Sequence, residues 1–202
     1  MKPSDMPTVL ITTTEGVEQG VLTTEGVLFL GRTSQEGPAK VLYYLGPSPL
    51  IEAGEIQPMG GPFMEVDLEV NVPWVPISFE AIRSGERLKL FVIEKGHPKS
   101  YDVLASTNKA FEGTLVTWPA GFEPSSDTVG CGVYRETPKG LTLVGLVKAT
   151  AVLERGASTD RYLILAGLPE FRLALLQPTP AVEKEKIYYR ADGLRAIKKP
   201  PR

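Results

Sequence analysis

Short apolar runs, each interrupted after a few residues by Gly, Pro, Asn or Asp, are the feature that most restricts how this chain folds. Many runs are rich in β-branched residues, and residues 63–70 alternate polar with apolar side chains, the period of a half-buried strand. About a dozen such runs at even spacing are typical of β-barrels and β-sandwiches. The sequence therefore predicts an all-β protein, with strands at residues 9–14, 20–24, 27–31, 41–45, 51–57, 63–70, 88–94, 101–106, 113–118, 132–136, 141–153, 162–166 and 171–176.

Helical patterns are scarce along the chain. Residues 78–83 predict one helical turn with Ser78 as its N-cap, and residues 182–195 are a second candidate. Between the strand runs, residues 72–77 read VPWVPI, and the two prolines favour an extended linker because proline restricts both itself and the residue before it. The linker divides the chain into two halves of comparable length.

A single cysteine, Cys131, and a single histidine, His97, among 202 residues exclude several kinds of site. One cysteine forms no internal disulfide, and a zinc site needs three or four Cys and His ligands. The chain also lacks the glycine-rich phosphate loops and the acidic calcium loop. We therefore expect no metal and no cofactor, although the composition leaves a carboxylate-only Ca²⁺ or Mg²⁺ site open.

Composition and hydropathy also bear on location. Hydrophobic residues make up 42% of the chain and charged residues 23%, which is ordinary for a soluble globular protein. No apolar run approaches the length of a membrane span, and the first residues, MKPSDMPT, lack the apolar core of a signal peptide. A lone free thiol is typical of a reducing compartment. We expect no membrane association, no secretion by a signal peptide, and a cytoplasmic or virion location.

The end of the chain differs from the rest in charge. Residues 183–202 hold seven Lys or Arg and three acidic residues, so this tail carries +4 and the preceding body −6, for a net charge of −2. The tail is either a solvated extension or a docking arm for a protein partner or for self-assembly, and a nucleic acid would bind only through it. As an arm, it offers Ile187 as an apolar contact and the binding candidates Tyr188, Tyr189, Arg190, Arg195, Lys198 and Lys199.

Several segments also follow one another in the order of a known family. Residues 20–30 read as a glycine, an apolar strand, a turn, a second glycine and another apolar strand. Residues 65–70 alternate, residues 84–98 carry a Gly-Glu, an apolar strand and a Gly-x-Pro corner, and residues 144–147 read V-G-L-V. From residue 20 to residue 151 this order resembles the trypsin-like serine proteases, especially the high-temperature-requirement branch.

The resemblance implies a chymotrypsin-like fold of two antiparallel Greek-key β-barrels with a C-terminal extension. Placed on this chain, the first barrel covers residues 1–72 and the second covers residues 73–178. The basic tail then covers residues 179–202. A fold of this kind does not by itself establish an activity, because one fold hosts many functions.

The catalytic positions that the resemblance implies are only partly filled. The family's histidine falls at residues 31–33, where this chain has Gly-Arg-Thr, and neither Arg nor Thr serves as a general base at neutral pH. One alignment places Val129 at the nucleophile position, and a shifted alignment places Cys131 there, as in picornavirus-type cysteine proteases. Asp67 lies on the strand that carries the family's carboxylate. We assign no catalytic residue, keep Cys131 and Asp67 as candidates, and interpret His97 as a turn residue.

Three functional hypotheses remain open at this point. The favoured one is a trypsin-like protein without catalysis, used for assembly or protein binding, for example in a viral or phage particle. The second is an active viral-type cysteine peptidase with Cys131 as its nucleophile. The third is an unrelated β-sandwich structural protein. Strand order separates the first hypothesis from the third, and a thiol-reactive probe or a peptide-library assay separates the second from the others.

Overall fold

Twelve strands account for most of the chain that is described in a computed structural model, which covers residues 6–24, 26–31, 36–60, 62–68, 74–107, 113–125 and 128–167. In chain order the strands are β1 (Thr8–Thr13), β2 (Gly16–Thr23), β3 (Gly26–Phe29), β4 (Gly37–Leu45), β5 (Ser48–Gly60), β6 (Phe63–Leu68), β7 (Arg87–Glu94), β8 (His97–Ser106), β9 (Thr114–Thr117), β10 (Gly132–Thr137), β11 (Gly140–Arg155) and β12 (Ser158–Gly167). Among the described residues, none forms a helix long and apolar enough to cross a membrane.

The strands form two closed antiparallel barrels of six strands each. The first runs β1-β2-β3-β6-β5-β4 and closes because β1 pairs with β4. The second runs β10-β11-β12-β9-β8-β7, the same order of connections, and closes because β10 pairs with β7. The predicted all-β fold of two antiparallel barrels is therefore confirmed, and the β-sandwich alternative is wrong since each sheet closes on itself.

Along each strand the side chains point alternately into the barrel and outward, and the inward set fills the core. In β1, Val9 and Ile11 are buried in the first core, whereas Thr12, the next residue, is exposed. The first core contains Val9, Ile11, Leu22, Val27, Phe29, Ala39, Val41, Tyr43, Ile56 and Val66. The second contains Leu88, Leu90, Val92, Val103, Ala105, Val116, Phe122, Cys131, Val133, Val144, Val147, Leu163 and Leu165.

A third apolar cluster joins the barrels and forms the seam on which the candidate site lies. Its buried members come from both sides: Val21, Leu28 and Phe63 from the first barrel, and Tyr134, Leu143, Leu146 and Ala166 from the second, with Val75 between them. Each large side chain that is fully buried here contributes about 2 kcal/mol. The seam is therefore a continuation of the two cores.

Paired hydrogen bonds align the barrels along the same seam. The Gln19 side chain donates from Nε2 to the Ile93 carbonyl at 3.2 Å and accepts from the Ile93 amide at 3.1 Å, as a neighbouring strand would. Thr8 Oγ1 donates to the Phe91 carbonyl at 2.9 Å and lies 3.2 Å from the Tyr134 hydroxyl. Because these groups are buried, their pairing removes a desolvation cost that each would otherwise carry.

The connection between the barrels is described from Trp74 onward, where it is extended, and the helical turn predicted at residues 78–83 is wrong. Val75 bridges to Thr23 of the first barrel, and Ile77 bridges to Leu143 of the second, both in parallel. Ser78 Oγ accepts the Glu80 amide at 3.3 Å in a local turn, but the following residues contain no helix. Strand-like pairing of the linker with both barrels outweighs the weak capping signal of Ser78.

Some predicted elements have other limits, and some lie outside the described residues. Strand β4 begins at Gly37 and β8 at His97, each four residues before its predicted start. The predicted strand at 171–176, the helix at 182–195 and the tail lie outside the described residues. The domain limits at 72/73 and 178/179 stay predictions.

Candidate functional site

The loop that corresponds to the family's nucleophile loop, residues 128–131, is tied by its backbone to strand β11. The Gly130 amide donates to the Val147 carbonyl at 2.7 Å, and the Val147 amide donates to the Cys131 carbonyl at 2.9 Å. The Cys131 amide donates to the Thr128 carbonyl at 3.3 Å. An oxyanion hole needs backbone amides that are free to face a substrate. Here the amides of Gly130 and Cys131 already have carbonyl partners within the protein.

Gly130 brings this loop into direct contact with the first barrel. Its φ of 96° lies in the region that favours glycine, and a Cβ at this position would collide with the carbonyl oxygen of Gln19 on β2. The side chain of the same Gln19 pairs with Ile93 of the second barrel. The loop is therefore packed into the seam between the two barrels.

Cys131 is fully buried in the core of the second barrel, in one cluster with Val133 and Val147. Burial raises the pKa of its thiol far above the ordinary value, because a thiolate in an apolar core loses its solvation. The thiolate is the nucleophilic form of cysteine. In this position Cys131 therefore acts as a small hydrophobic residue, and Val129, which the other alignment places at the nucleophile, is also buried.

His97 lies on the surface, at the first position of β8, where it pairs with Glu94 across the β7–β8 hairpin. The neighbouring Gly96 carbonyl accepts a hydrogen bond from the Tyr44 hydroxyl at 2.8 Å, so the hairpin tip contacts strand β4. His97 is exposed and the Cys131 thiol is enclosed in the core. The two groups are not brought together. The hairpin-turn interpretation of His97 agrees with this placement, although the residue belongs to the strand.

Asp67 points to solvent from the outer surface of β6, directly opposite Glu55 of β5. The residue of β6 that reaches the seam is Phe63, four positions earlier, and it is buried in the inter-barrel cluster. Asp67 therefore lies outside the inter-barrel cluster. Of the residues at the implied histidine position, Gly31 is described, whereas Arg32 and Thr33 lie outside the described residues.

An open recess of about 430 Å³ lies on the second barrel, and none of these residues lines it. It is lined by residues 117–123, which follow β9, and by residues 159–162 at the start of β12. The Arg161 guanidinium lies 5.4 Å from the ring centroid of Trp118, a cation–π distance, and the Trp118 indole donates to the Phe122 carbonyl. Glu123 and Asp160 add two acids to the lining.

Sequence reasoning missed this recess. Its two walls are about forty residues apart in the chain, and the only local signal was the pair Trp118 and Pro119. The two walls meet because β12 pairs beside β9, where Trp118 donates its backbone amide to the Arg161 carbonyl at 3.1 Å. A local sequence pattern does not predict that pairing. Among the described residues, no group of three or more His, Cys, Asp or Glu is placed to hold a metal ion.

The predicted binding residues of the tail, Tyr188, Tyr189, Arg190, Arg195, Lys198 and Lys199, lie outside the described residues. Their role therefore remains a prediction. Within the described residues, Gly130 of the loop contacts Gln19 of the first barrel, the Cys131 thiol is buried in the second core, and Phe63 is buried in the inter-barrel cluster. This arrangement packs the two barrels closely together at the seam.

Comparison with known proteins identifies the fold. No protein-family model and no curated protein sequence matches the chain. Among solved structures, kallikrein-related peptidase 10 superposes with a TM-score of 0.62 at 11% identity, covering 86% of this chain and 94% of that one. A human pathogenic astrovirus serine protease gives 0.53 at 12% identity, covering 80% and 91%. The Rv3671c protease in its inactive form gives 0.53 at 13% identity, covering 86% and 96%.

Identities this low establish a shared fold and carry no information on activity. The chain has the trypsin-like fold that its segment order predicted, with the paired barrels and their connections in the expected arrangement.

Proposed function

We propose that this protein is a trypsin-like double barrel without hydrolytic activity, which serves as a protein-binding or assembly module. A subunit of a viral or phage particle is the narrower setting that we propose for it. The observation that carries the proposal is the nucleophile loop, whose Gly130 and Cys131 amides are bonded within the protein and whose Cys131 side chain is buried. The chain's one histidine lies exposed on a hairpin.

The chemistry of acyl transfer explains why this arrangement argues against turnover. A nucleophile must be reached by the substrate and must transfer its proton to a base within about 3 Å. Cys131 meets neither requirement, because the thiol is enclosed and the chain's one imidazole lies on an exposed hairpin. Asp67 cannot orient that imidazole, since it faces Glu55 on the outer surface of the first barrel.

Binding is the function that the remaining features support. The tail carries a charge of +4 against −6 for the body, and it interleaves Tyr188 and Tyr189 with Lys and Arg. Complementary charge steers association and buried tyrosines supply much of its free energy. We therefore assign the partner-binding role to the tail and the supporting role to the two barrels.

A thiol-reactive active-site probe and a peptide-library assay test the absence of catalysis. We expect no turnover and no labelling of the native protein, with trypsin as the positive control for the peptide assay. Cys131→Ala should leave this unchanged and lower the free energy of unfolding by about 1 kcal/mol, as expected for a small loss of core packing. Measurable turnover that Cys131→Ala abolishes would contradict the proposal and support the cysteine-peptidase alternative.

The binding role needs a separate measurement. Sedimentation velocity of the full chain over a range of concentrations reports self-association, and purification from the native source reports other partners. A protein that stays monomeric and co-purifies with nothing would contradict an assembly role.

A further inference from the structure

The outer surface of the first barrel carries a row of apolar side chains. Leu10, Leu42 and Ile51 are direct cross-strand neighbours on β1, β4 and β5. The residues that flank them along each strand, such as Ile11 and Val41, fill the core, so this row points outward. Ile51 is 62% exposed, and Val17 in the next row is 48% exposed. A contiguous apolar row of this kind on a surface is typical of a binding face.

Acidic residues border the row on one side. Glu55 follows Ile51 on the same outward face of β5, and it lies directly opposite Asp67 of β6, with both side chains exposed. Like charges opposite one another across a ladder repel. A cation bound between them would relieve that repulsion. The exposed Lys40 lies between the apolar row and this acidic pair. Its positive charge opposes the binding of further positive charges on this face.

The tail has the chemistry that this face would recognise. Residues 183–202 combine the consecutive side chains Ile187, Tyr188 and Tyr189 with a charge of +4. Apolar side chains would cover the row, and the nearby Lys and Arg would meet the acidic pair.

The proposed assembly function decides which copy supplies the tail. The described chain ends at Gly167, one residue after Ala166, which is buried in the apolar cluster between the barrels. Leu10, Leu42 and Ile51 lie on the outer face of the first barrel, because their neighbours along each strand fill its core. Since assembly joins separate molecules, we assign the tail on this face to a second copy.

We propose that the tail of one copy, residues 183–202, docks on the outer face of β1, β4 and β5 of a second copy, where Leu10, Leu42 and Ile51 meet the Glu55–Asp67 pair. This inference rests on the proposed assembly function and names the surface that assembly uses. The contact is head-to-tail, since the tail and its receiving face are different parts of the molecule. Such contacts build rings when the rotation closes and filaments when it does not.

Sedimentation equilibrium of full-length variants tests the receiving face. Ile51→Lys adds a charge of the tail's own sign to the row, and we expect it to weaken self-association by about tenfold or more, the loss typical of a central contact residue. The matched control is Leu104→Lys, the same change at a residue 45% exposed on the second barrel, which should leave the dissociation constant unchanged. Melting temperatures of both variants confirm that they are folded.

A tail variant separates failure of this surface from failure of the proposed function. Tyr188→Ser with Tyr189→Ser should weaken association as Ile51→Lys does. If the tail variant weakens association and Ile51→Lys does not, the tail binds elsewhere and the inference about the face is overturned. If the protein self-associates and neither variant changes the dissociation constant, the partner-binding role that we propose for the tail is wrong as well.

Crosslinking of mixed isotopes identifies the copy that supplies the tail. Ala53→Cys places a thiol beside the apolar row, and a maleimide–succinimide reagent joins it to Lys198 or Lys199. In an equal mixture of ¹⁴N- and ¹⁵N-labelled protein, we expect crosslinked peptides that combine both isotopes. Crosslinks found only within one isotope would show that the tail folds onto its own barrel, which would overturn the second-copy assignment.

Discussion

For single residues, burial decides the chemistry of this protein more than residue type does. Cys131 has the side chain of a nucleophile, but its place in the second core makes it a packing residue. Asp67 has the side chain of a triad carboxylate, but it lies on the outer surface, whereas Phe63 of the same strand is buried at the seam. The same principle applies to polar groups that the cores enclose.

Thr150 provides a test of that principle. Its side chain is buried, and its hydroxyl has no hydrogen-bond partner among the described residues. An unpaired buried hydroxyl costs free energy, and valine has nearly the same shape. We expect Thr150→Val to raise the free energy of unfolding by about 1 kcal/mol, measured by urea denaturation.

A second buried threonine serves as the control. The Thr23 hydroxyl donates to the Gly26 carbonyl at 2.9 Å, so Thr23→Val should lower the free energy of unfolding by about 1 kcal/mol. Equal effects of the two substitutions would contradict the role that we assign to hydrogen-bond pairing.

Among the structural elements, the segment between the connection and β7 is held to the second barrel by the side chain of Arg135. Arg135 on β10 donates from Nε to Glu86 Oε1 at 2.5 Å and from Nη2 to Oε2 at 3.1 Å, and from Nη1 to Ser78 Oγ at 3.1 Å. Both charged side chains are largely buried. A two-point carboxylate–guanidinium contact is directional as well as strong. It therefore fixes the segment that precedes β7 against the second barrel.

This contact predicts a pH dependence of stability. The hydrogen bonds from Arg135 lower the pKa of the Glu86 carboxyl below its ordinary value of 4.5. A carboxyl whose pKa is lowered by folding stabilises the folded state fully above its unfolded pKa. That stabilisation is lost as pH falls from about 4.5 through the lower folded pKa, since the unfolded state then binds the proton first.

Glu86→Gln measures the contribution directly. We expect it to lower the free energy of unfolding by about 2 kcal/mol at pH 7, with the difference from the native protein shrinking below pH 4.5. The control is Asp102→Asn, which removes an ion pair to Lys89 from a side chain that is 83% exposed. That change should be worth less than about 1 kcal/mol at any pH. A Glu86→Gln effect that persists undiminished in acid would contradict the ionic origin.

For the whole molecule, the barrels and the tail should carry separable functions. Each closed barrel leaves no unpaired sheet edge, so strand addition at an edge is not available for assembly within the described fold. Association must then use outer faces or the tail. This division of roles predicts that truncating the tail changes assembly and leaves the stability of the body nearly unchanged.

Two truncations test the division. Removing residues 196–202 should slow association and flatten its salt dependence, because three of the tail's seven cations, Lys198, Lys199 and Arg202, no longer steer encounter. Removing residues 183–202 should abolish assembly while the melting temperature of the body stays within a few degrees. Calorimetry and sedimentation velocity measure the two effects. If the longer truncation unfolds the protein, the tail belongs to the folded core.

Local patterns in the sequence specify the strands and many of their limits, because side-chain alternation and turn residues act over a few positions. The trypsin-like order of segments is visible for the same reason, since hairpins and glycine corners are local. The single cysteine and single histidine restrict the possible chemistry through composition alone, because the number of available groups does not depend on how the chain folds.

The direction in which each candidate residue points depends instead on tertiary contacts. Closure of the first barrel requires β1 to pair with β4 and β3 with β6, and these pairings set which end of β6 meets the seam. The partners of the nucleophile loop, Gln19 and Val147, come from distant strands in two different barrels. Burial and register arise from contacts between segments far apart in the chain, and a local pattern does not specify them.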